Sequence, residues 1–547
     1  MGNINGGFQF LDQQKNCKIV IVGGGIAGTY LAFKLAQKYG SQVCLFDKDK
    51  HTGGRLYDIP VNPQYRNSPK FGIGGRRLLK SQEVMVKLAY ELNITLEKPE
   101  PADQFCFARG KFQFVSNNTE KDLFLPLYSG LQIERKQHDY EDQLVKTLFN
   151  SPERKNIINY PSLRSYMESV IGHAGFEFLR DMTRFKSDYL YPLSAQGYID
   201  WAEEEYTYAY DARYPVGGMS QFVKELASKA KKLGAQIFKP EKVHSISRDN
   251  NNGYLVAFSK GEIKADRIIL AIPANALKQI HGDVIDSIKS QSPFKDIVGV
   301  RIMTITQWFK TPWWMSIKRI SNGRRVWRAW TTDSCLRAVE IPLEPSLLGQ
   351  NVFRVAYLDD INCIEHFDFL RKTNNTKLEE EIHAGLRHLF ENNGITTPVK
   401  IPRAIKTVIK DWQNAWYWLK SGSLFTNRYI ADWASNPLKH ENVGLASDSY
   451  FMQRTGWSEA AILSADKLLK RQYPDVMRDF SRLNDIRTER LIDNSYEVII
   501  PSEEEIEDDV NDWDRYTSSA EERDAKNSQE GNGYRPSLED GWLDGWL

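Results

Sequence analysis

Residues 18–47, KIVIVGGGIAGTYLAFKLAQKYGSQVCLFD, leave this chain little choice of local fold. Lys18-Ile-Val-Ile-Val22 is a short, continuous apolar run, the mark of a strand buried on both faces. Gly23, Gly25 and Gly28 follow as GxGxxG, then an apolar-periodic helix, TYLAFKLAQKYG, stopped by Gly40. A second strand, QVCLF, ends at Asp47. The glycines make a tight turn and let the backbone approach a pyrophosphate at the helix N-terminus. Asp47, about 20 residues on, is placed to accept hydrogen bonds from an adenosine ribose. Together these parts imply a dinucleotide-binding βαβ unit of an α/β fold, without separating NAD from FAD.

A chain of 547 residues has room for several domains or one large enzyme. Its net charge of +1 gives no overall pull toward nucleic acid. Its 14 Trp and 25 Tyr suit pocket walls and plain core packing alike. Cys17, Cys44, Cys106, Cys335 and Cys363 form no CxxC pair and no metal-ligand spacing. They read as reduced thiols in a reducing compartment. The start MGNINGGFQFLDQQKN lacks the basic head and apolar run of a secretory signal. Gly6 stands where a myristoylation signal has Ser or Thr; with no secretory signal a cytoplasmic protein is expected, release by another route staying open. No apolar run approaches the ~18 residues of a membrane-spanning helix. Beyond Ser502 the chain turns acidic and ends in GWLDGWL, a composition expected of a disordered or loosely docked tail.

Past Asp47 comes KDKHTGGRLYD, with Gly53-Gly54-Arg55, and then FGIGGRRLL over residues 71–79. Later stretches are RAWTTDSCLRAVEIP, VFRVAYLDD, DWQNAWYWLKSGSLFT and NVGLASDSYFMQRTGWSEAAILSA, the last over 442–465. On these motifs the chain resembles the flavin amine oxidase superfamily, and within it the L-amino acid oxidase branch. The resemblance implies FAD as cofactor. It also implies a two-domain, Rossmann-like FAD-binding fold of the glutathione-reductase type, with a mixed-sheet substrate domain and a helical domain built from interrupted segments. Residues 14–80, 214–280 and 404–475 are then the FAD-binding pieces. Residues 90–213 are the helical piece, 281–403 the substrate-binding piece, 476–501 an extension and 502–547 the tail.

The resemblance also assigns roles. Gly54 and Arg55 approach the FAD pyrophosphate or flavin, and Gly74 and Gly75 run close to the flavin ring. The backbone of Val243 pairs with adenine, and Asp448, where the family has Glu, binds the ribityl or pyrophosphate part. Arg77 takes the substrate α-carboxylate, which suits a planar, permanently charged guanidinium. Arg76, standing where the family has Met, faces the protein or phosphates. Tyr357 adds a hydroxyl to the carboxylate. Gly456 offers its carbonyl to the amine, and Trp457 packs beside substrate and flavin. Trp416, Tyr417 and Trp418 are candidate pocket walls, and Thr331-Thr332-Asp333 matches a Thr-Thr-Asp of the branch. Arg301 occupies the place of a lysine that the superfamily bridges to the flavin through water. Glu203–Glu205 are a solvated face or an acidic entrance wall.

The implied reaction is oxidative deamination of an L-amino acid with dioxygen, yielding a 2-oxo acid, ammonia and hydrogen peroxide, in a homodimeric enzyme. No metal is expected. Four alternatives stay open on the sequence: a flavin amino acid monooxygenase of the tryptophan type, an amine oxidase, a dehydrogenase reducing a quinone, and a non-catalytic FAD protein acting through its tail.

Overall fold

The structure is a computed structural model that describes residues 17–115, 124–134, 140–183, 185–205, 211–250 and 253–477. The extension and tail expected after residue 476 lie almost wholly outside the described residues. The small stretch Pro60–Pro69 stands as its own unit, closed by the Val61 N–H donating to the Pro69 carbonyl at 2.8 Å.

The opening strand forms as Ile19–Val22 and all four residues are buried. It pairs in parallel with Val43–Phe46 on one side and Arg267–Leu270 on the other. Gln236–Phe238 and Val443–Leu445 complete a five-stranded parallel sheet. Its strands thus come from three distant parts of the chain. Both faces are covered, as continuous apolar strands require. Helices Ile26–Tyr39, Ser220–Lys232 and Ser458–Gln472 share one apolar core with the sheet. An antiparallel three-stranded sheet, Val243–Arg248, Tyr254–Phe258 and Gly261–Ala265, contributes to the core on the other face.

A seven-stranded mixed sheet runs in the order Lys406–Leu419, Ile297–Trp308, Val352–Leu358, Ala338–Glu340, Val326–Thr331, Asp103–Ala108, Lys111–Phe114. One face packs on helices Tyr140–Asn150, Leu163–Met182 and Ala195–Glu205. The other packs on Ile361–Thr373 and Asn375–Phe390. The last two strands fall inside the stretch that sequence reasoning gave to helices. Their signal is the alternating DQFCFARGKFQF, turned by Arg109 (φ 50°) and Gly110 (φ 75°) as a two-residue hairpin demands.

The cysteine reading is corrected. Cys17 bonds Cys44, and Cys335 bonds Cys363, leaving Cys106 as a buried thiol. Partners 27 and 28 residues apart carry no local spacing signal. Pairing of neighbouring parallel strands brings the first two together, and packing of helix Ile361–Thr373 brings the second two together. No described helix is long and apolar enough to cross a membrane.

Candidate active site

The glycine turn is tight. A side chain at Gly28 would start 1.8 Å from the Gly23 carbonyl oxygen, so helix and turn touch only because position 28 is bare. A side chain at Gly25 would meet nothing within 4 Å, because that side of the turn faces open space. Gly25 bridges to Gly53, and a side chain added at Gly54 would start 3.8 Å from the Gly25 Cα. Helix Ile26–Tyr39 has no side-chain cap and no acid in its first turn, so its N-terminal N–H groups and dipole are offered to an anion. Asp47 borders this corner. Its Oδ2 accepts from the Gly24 N–H at 2.7 Å and its Oδ1 from the Asp49 N–H at 2.8 Å. Val243 begins its strand two residues after Glu241, whose N–H donates to the Asp47 carbonyl at 2.7 Å.

Two motif residues 393 positions apart form one clamp. Arg55 grips Asp448 with both Nη atoms, Nη1 at 2.6 Å from Oδ2, and Nη1 also donates to the Ala415 carbonyl. Its guanidinium lies 5.7 Å from the centre of the Tyr417 ring. Arg55 also fixes the next loop, because its carbonyl accepts from the Gly75 N–H at 3.0 Å. A side chain at Gly74 would start 2.1 Å from that same oxygen.

The loop then delivers Arg76 and Arg77 to a buried carboxylate that sequence reasoning missed. Strand register sets Arg328 opposite Glu340, and Glu340 opposite Arg354. Arg328 Nη2 and Arg77 Nη1 donate to Glu340 Oε1, the latter at 3.3 Å. Arg354 Nη1 donates to Oε2 at 2.9 Å, and Arg76 Nη1 stands 3.8 Å from Oε2. Arg76 points into the protein, with its Nη2 on Glu344. Arg354 Nη2 closes the arrangement, donating at 2.9 Å to the carbonyls of both Gly72 and Gly74.

Burial alone would raise the Glu340 pKa; Arg328, Arg77, Arg354 and Arg76 outweigh it and hold the group well below the usual carboxylate range. A depressed acid stabilises the fold above its unfolded pKa of about 4.3, and that stabilisation vanishes as pH falls through the folded value. Melting temperatures of wild type and Glu340→Gln will therefore differ at neutral pH and converge on acidification below about pH 4. A gap constant with pH would contradict this.

Next to the arginines stands an aromatic group. Tyr357 stacks on Trp416 with ring centres 6.4 Å apart and planes 19° from parallel. Phe185 lies edge-on to Trp416 at 5.3 Å and tilted against Tyr357 at 5.7 Å. Burial pushes the Tyr357 phenol well up despite the Arg354 charge, so it stays an O–H donor. The Arg77 charge also acts on this phenol. Gly456, at φ 84°, lies under Trp416. Trp457 caps the last helix, and its Nε1 donates to the Glu205 carboxylate at 3.2 Å.

Other expected residues stand elsewhere. Along the strand Lys406–Leu419, alternation sends Tyr417 into the nucleotide-side core, away from Trp416. Trp418 is buried against Tyr198 and Trp201, at 5.8 and 5.1 Å, within the helical core. Arg301 sits where the register shifts between Val300 and Ile302. Its Nε and Nη2 are held by Asp411 at 3.0 and 2.6 Å, and Asp368 on helix Ile361–Thr373 is 3.3 Å from Nη2. Lys410 stands over the rings of Trp412 (5.1 Å) and Tyr57 (5.8 Å). Asp333 closes the hairpin turn, accepting from the Arg109 and Gly110 N–H groups at 3.1 and 2.7 Å. Of the acidic run, Glu203 pairs with Arg154, Glu204 with Arg454 at 2.9 Å, and Glu205 holds Trp457.

The family described as flavin containing amine oxidoreductase matches residues 26–467, most of the chain. This chain belongs to that family. FAD is accordingly its cofactor. Achacin of Lissachatina fulica is 24% identical over 344 residues, 55% of this chain and 62% of Achacin, so the match spans less than two thirds of that relative's length. Among solved structures, a cyclohexylamine oxidase from Brevibacterium oxydans IH-35A superposes with a TM-score of 0.63 at 13% identity, over 85% of this chain and all of that one. Wild-type putrescine oxidase bound to putrescine gives 0.58 at 15%, over 82% and 97%. These likenesses are of fold. The nucleotide corner fits the cofactor: a bare glycine cradle with open space, an uncapped helix N-terminus and flanking polar groups.

Proposed function

We propose that this flavin containing amine oxidoreductase is an L-amino acid oxidase. The observation that carries the reading is the arginine corner. Arg76, Arg77, Arg328 and Arg354 meet Glu340 and Glu344, and these six groups sum to two positive charges in a buried place. Such a field costs a cationic amine without a carboxylate dearly and favours a substrate that brings its own anion. Arg354 lies over the Tyr357 ring at 5.6 Å, and Arg77, with its side chain 12% exposed, is the least buried of the four arginines.

In this reading the α-carboxylate lies on Arg77 and the Tyr357 hydroxyl, which fixes Cα in one orientation. Trp416, Tyr357 and Phe185 bound the space around it and exclude water. The Gly456 carbonyl accepts from the amine, and Trp457, steadied by Glu205, closes the side. Gly25, Gly53 and Gly54, with Arg55, Asp448, Asp47 and Val243, hold the cofactor. Bound FAD would supply the acceptor for the Cα hydride while the amine gives up a proton, and dioxygen would leave with the two electrons and two protons as hydrogen peroxide. Water then splits the imino acid to 2-oxo acid and ammonia. The test is product analysis. Equal amounts of 2-oxo acid, ammonia and hydrogen peroxide are expected; a shortened amide would mark a monooxygenase and overturn the reading.

The Arg55–Asp448 clamp carries its own prediction. Asp448→Asn removes the charge that pairs Arg55, so FAD should bind about tenfold or more weakly, as loss of a charged hydrogen bond implies. Equilibrium dialysis of released flavin measures it, and unchanged affinity would remove Asp448 from the cofactor site.

A further inference from the structure

Glu340 ends the short and otherwise apolar strand Ala338–Glu340, yet almost every group that shapes the arginine corner touches it. Cross-strand register makes a row of Arg328, Glu340 and Arg354 on one face of the seven-stranded sheet. The Gly72–Arg77 loop is laid on this row. Arg354 holds the loop by two carbonyls, and Thr304 Oγ1 holds it by a third, donating to Ile73 at 3.0 Å. Glu340 in turn fixes Arg354 through Oε2 and reaches Arg77 through Oε1.

The two contacts differ in length. Arg354 sits at 2.9 Å, within the range of a strong charged hydrogen bond. Arg77 sits at 3.3 Å on an oxygen it shares with Arg328. That longer, shared contact orients the Arg77 guanidinium. We propose, on the reading of Arg77 given above, that Glu340 is a positioning residue that aims Arg77 at the substrate carboxylate and so sets the preference for amino acids over the matching amines. It touches neither substrate nor cofactor.

The experiment uses the FAD-loaded enzyme and benzoate, a carboxylate with no oxidisable amine, whose binding is read from the visible spectrum of the flavin. In Glu340→Gln the benzoate Kd and the amino acid KM should rise about tenfold to a hundredfold, as loss of a charged partner implies, while kcat stays within about threefold. Glu340→Asp should recover part of the loss. The double variant Glu340→Gln, Arg76→Met carries the same net buried charge as the wild type, and it should bind benzoate as weakly as Glu340→Gln alone. It also serves if the single variant does not fold. Wild-type affinity in Glu340→Gln would overturn the proposal. So would recovery in the double variant, which would make charge balance, not aiming, the cause. A wild type that binds no benzoate overturns it as well. A wild type that oxidises amines only would sink the amino acid reading separately, while the benzoate series still decides the role of Glu340.

Discussion

Arg77→Ala will lower kcat/KM toward amino acids by roughly 3–5 kcal/mol, a hundredfold to several thousandfold, the scale for removing one partner of a buried ion pair. The structure gives the reason. The guanidinium is nearly buried, its charge reaches the Tyr357 phenol, and its loop is tied down at Gly72, Ile73 and Gly74. The substrate carboxylate would then be desolvated without its main partner. Arg77→Lys keeps the charge but not the planar fork, and should recover only part of the loss. Steady-state kinetics on an amino acid and on its decarboxylated amine check this. Near-normal efficiency of Arg77→Ala with the amino acid would reject the assignment.

Gly25→Val will give a folded but colourless protein. Gly25 has φ −70° and ψ −175°, which valine adopts readily, and no protein atom stands within 4 Å of the added carbon. The valine instead fills the open space before Gly53 and Gly54, where the backbone must let a pyrophosphate approach. FAD affinity should fall on the order of a hundredfold or more, about 3 kcal/mol, and activity should vanish with it. Gly28→Val is the contrast, because its side chain would strike the Gly23 carbonyl and break the turn itself. Flavin content together with a melting curve separates the two. A fully loaded, yellow Gly25→Val would contradict the account.

The strand, glycine turn, helix and acid of residues 18–47 were legible because their information is local, each residue acting on neighbours a few positions away. The Arg55–Asp448 clamp was half legible: both residues carry motif signals, but only the fold shows that they meet. Glu340 was not legible, because a lone acid in RAVEIP looks like the end of a strand. Its meaning lies in Arg328 and Arg354 across the sheet, and so depends on register. The partners of Arg301 were hidden for a related reason, since a shift in pairing beside it sets its guanidinium on Asp411 and Asp368. Alternation sends Tyr417 to the other face from Trp416 and Trp418, and of these two Trp416 stacks on Tyr357 while Trp418 lies further along the strand against Tyr198 and Trp201. The disulfides escaped notice because strand and helix packing, not sequence spacing, bring their halves together.

The most direct test of the central claim is hydrogen peroxide release by the wild-type enzyme on matched pairs: each L-amino acid, its D-enantiomer and its decarboxylated amine. Turnover of L-amino acids is expected, with kcat/KM at least about tenfold above that of the paired amine, since one charged contact separates them. Equal or faster turnover of the amines would contradict it and would leave the buried arginine corner without a substrate to serve.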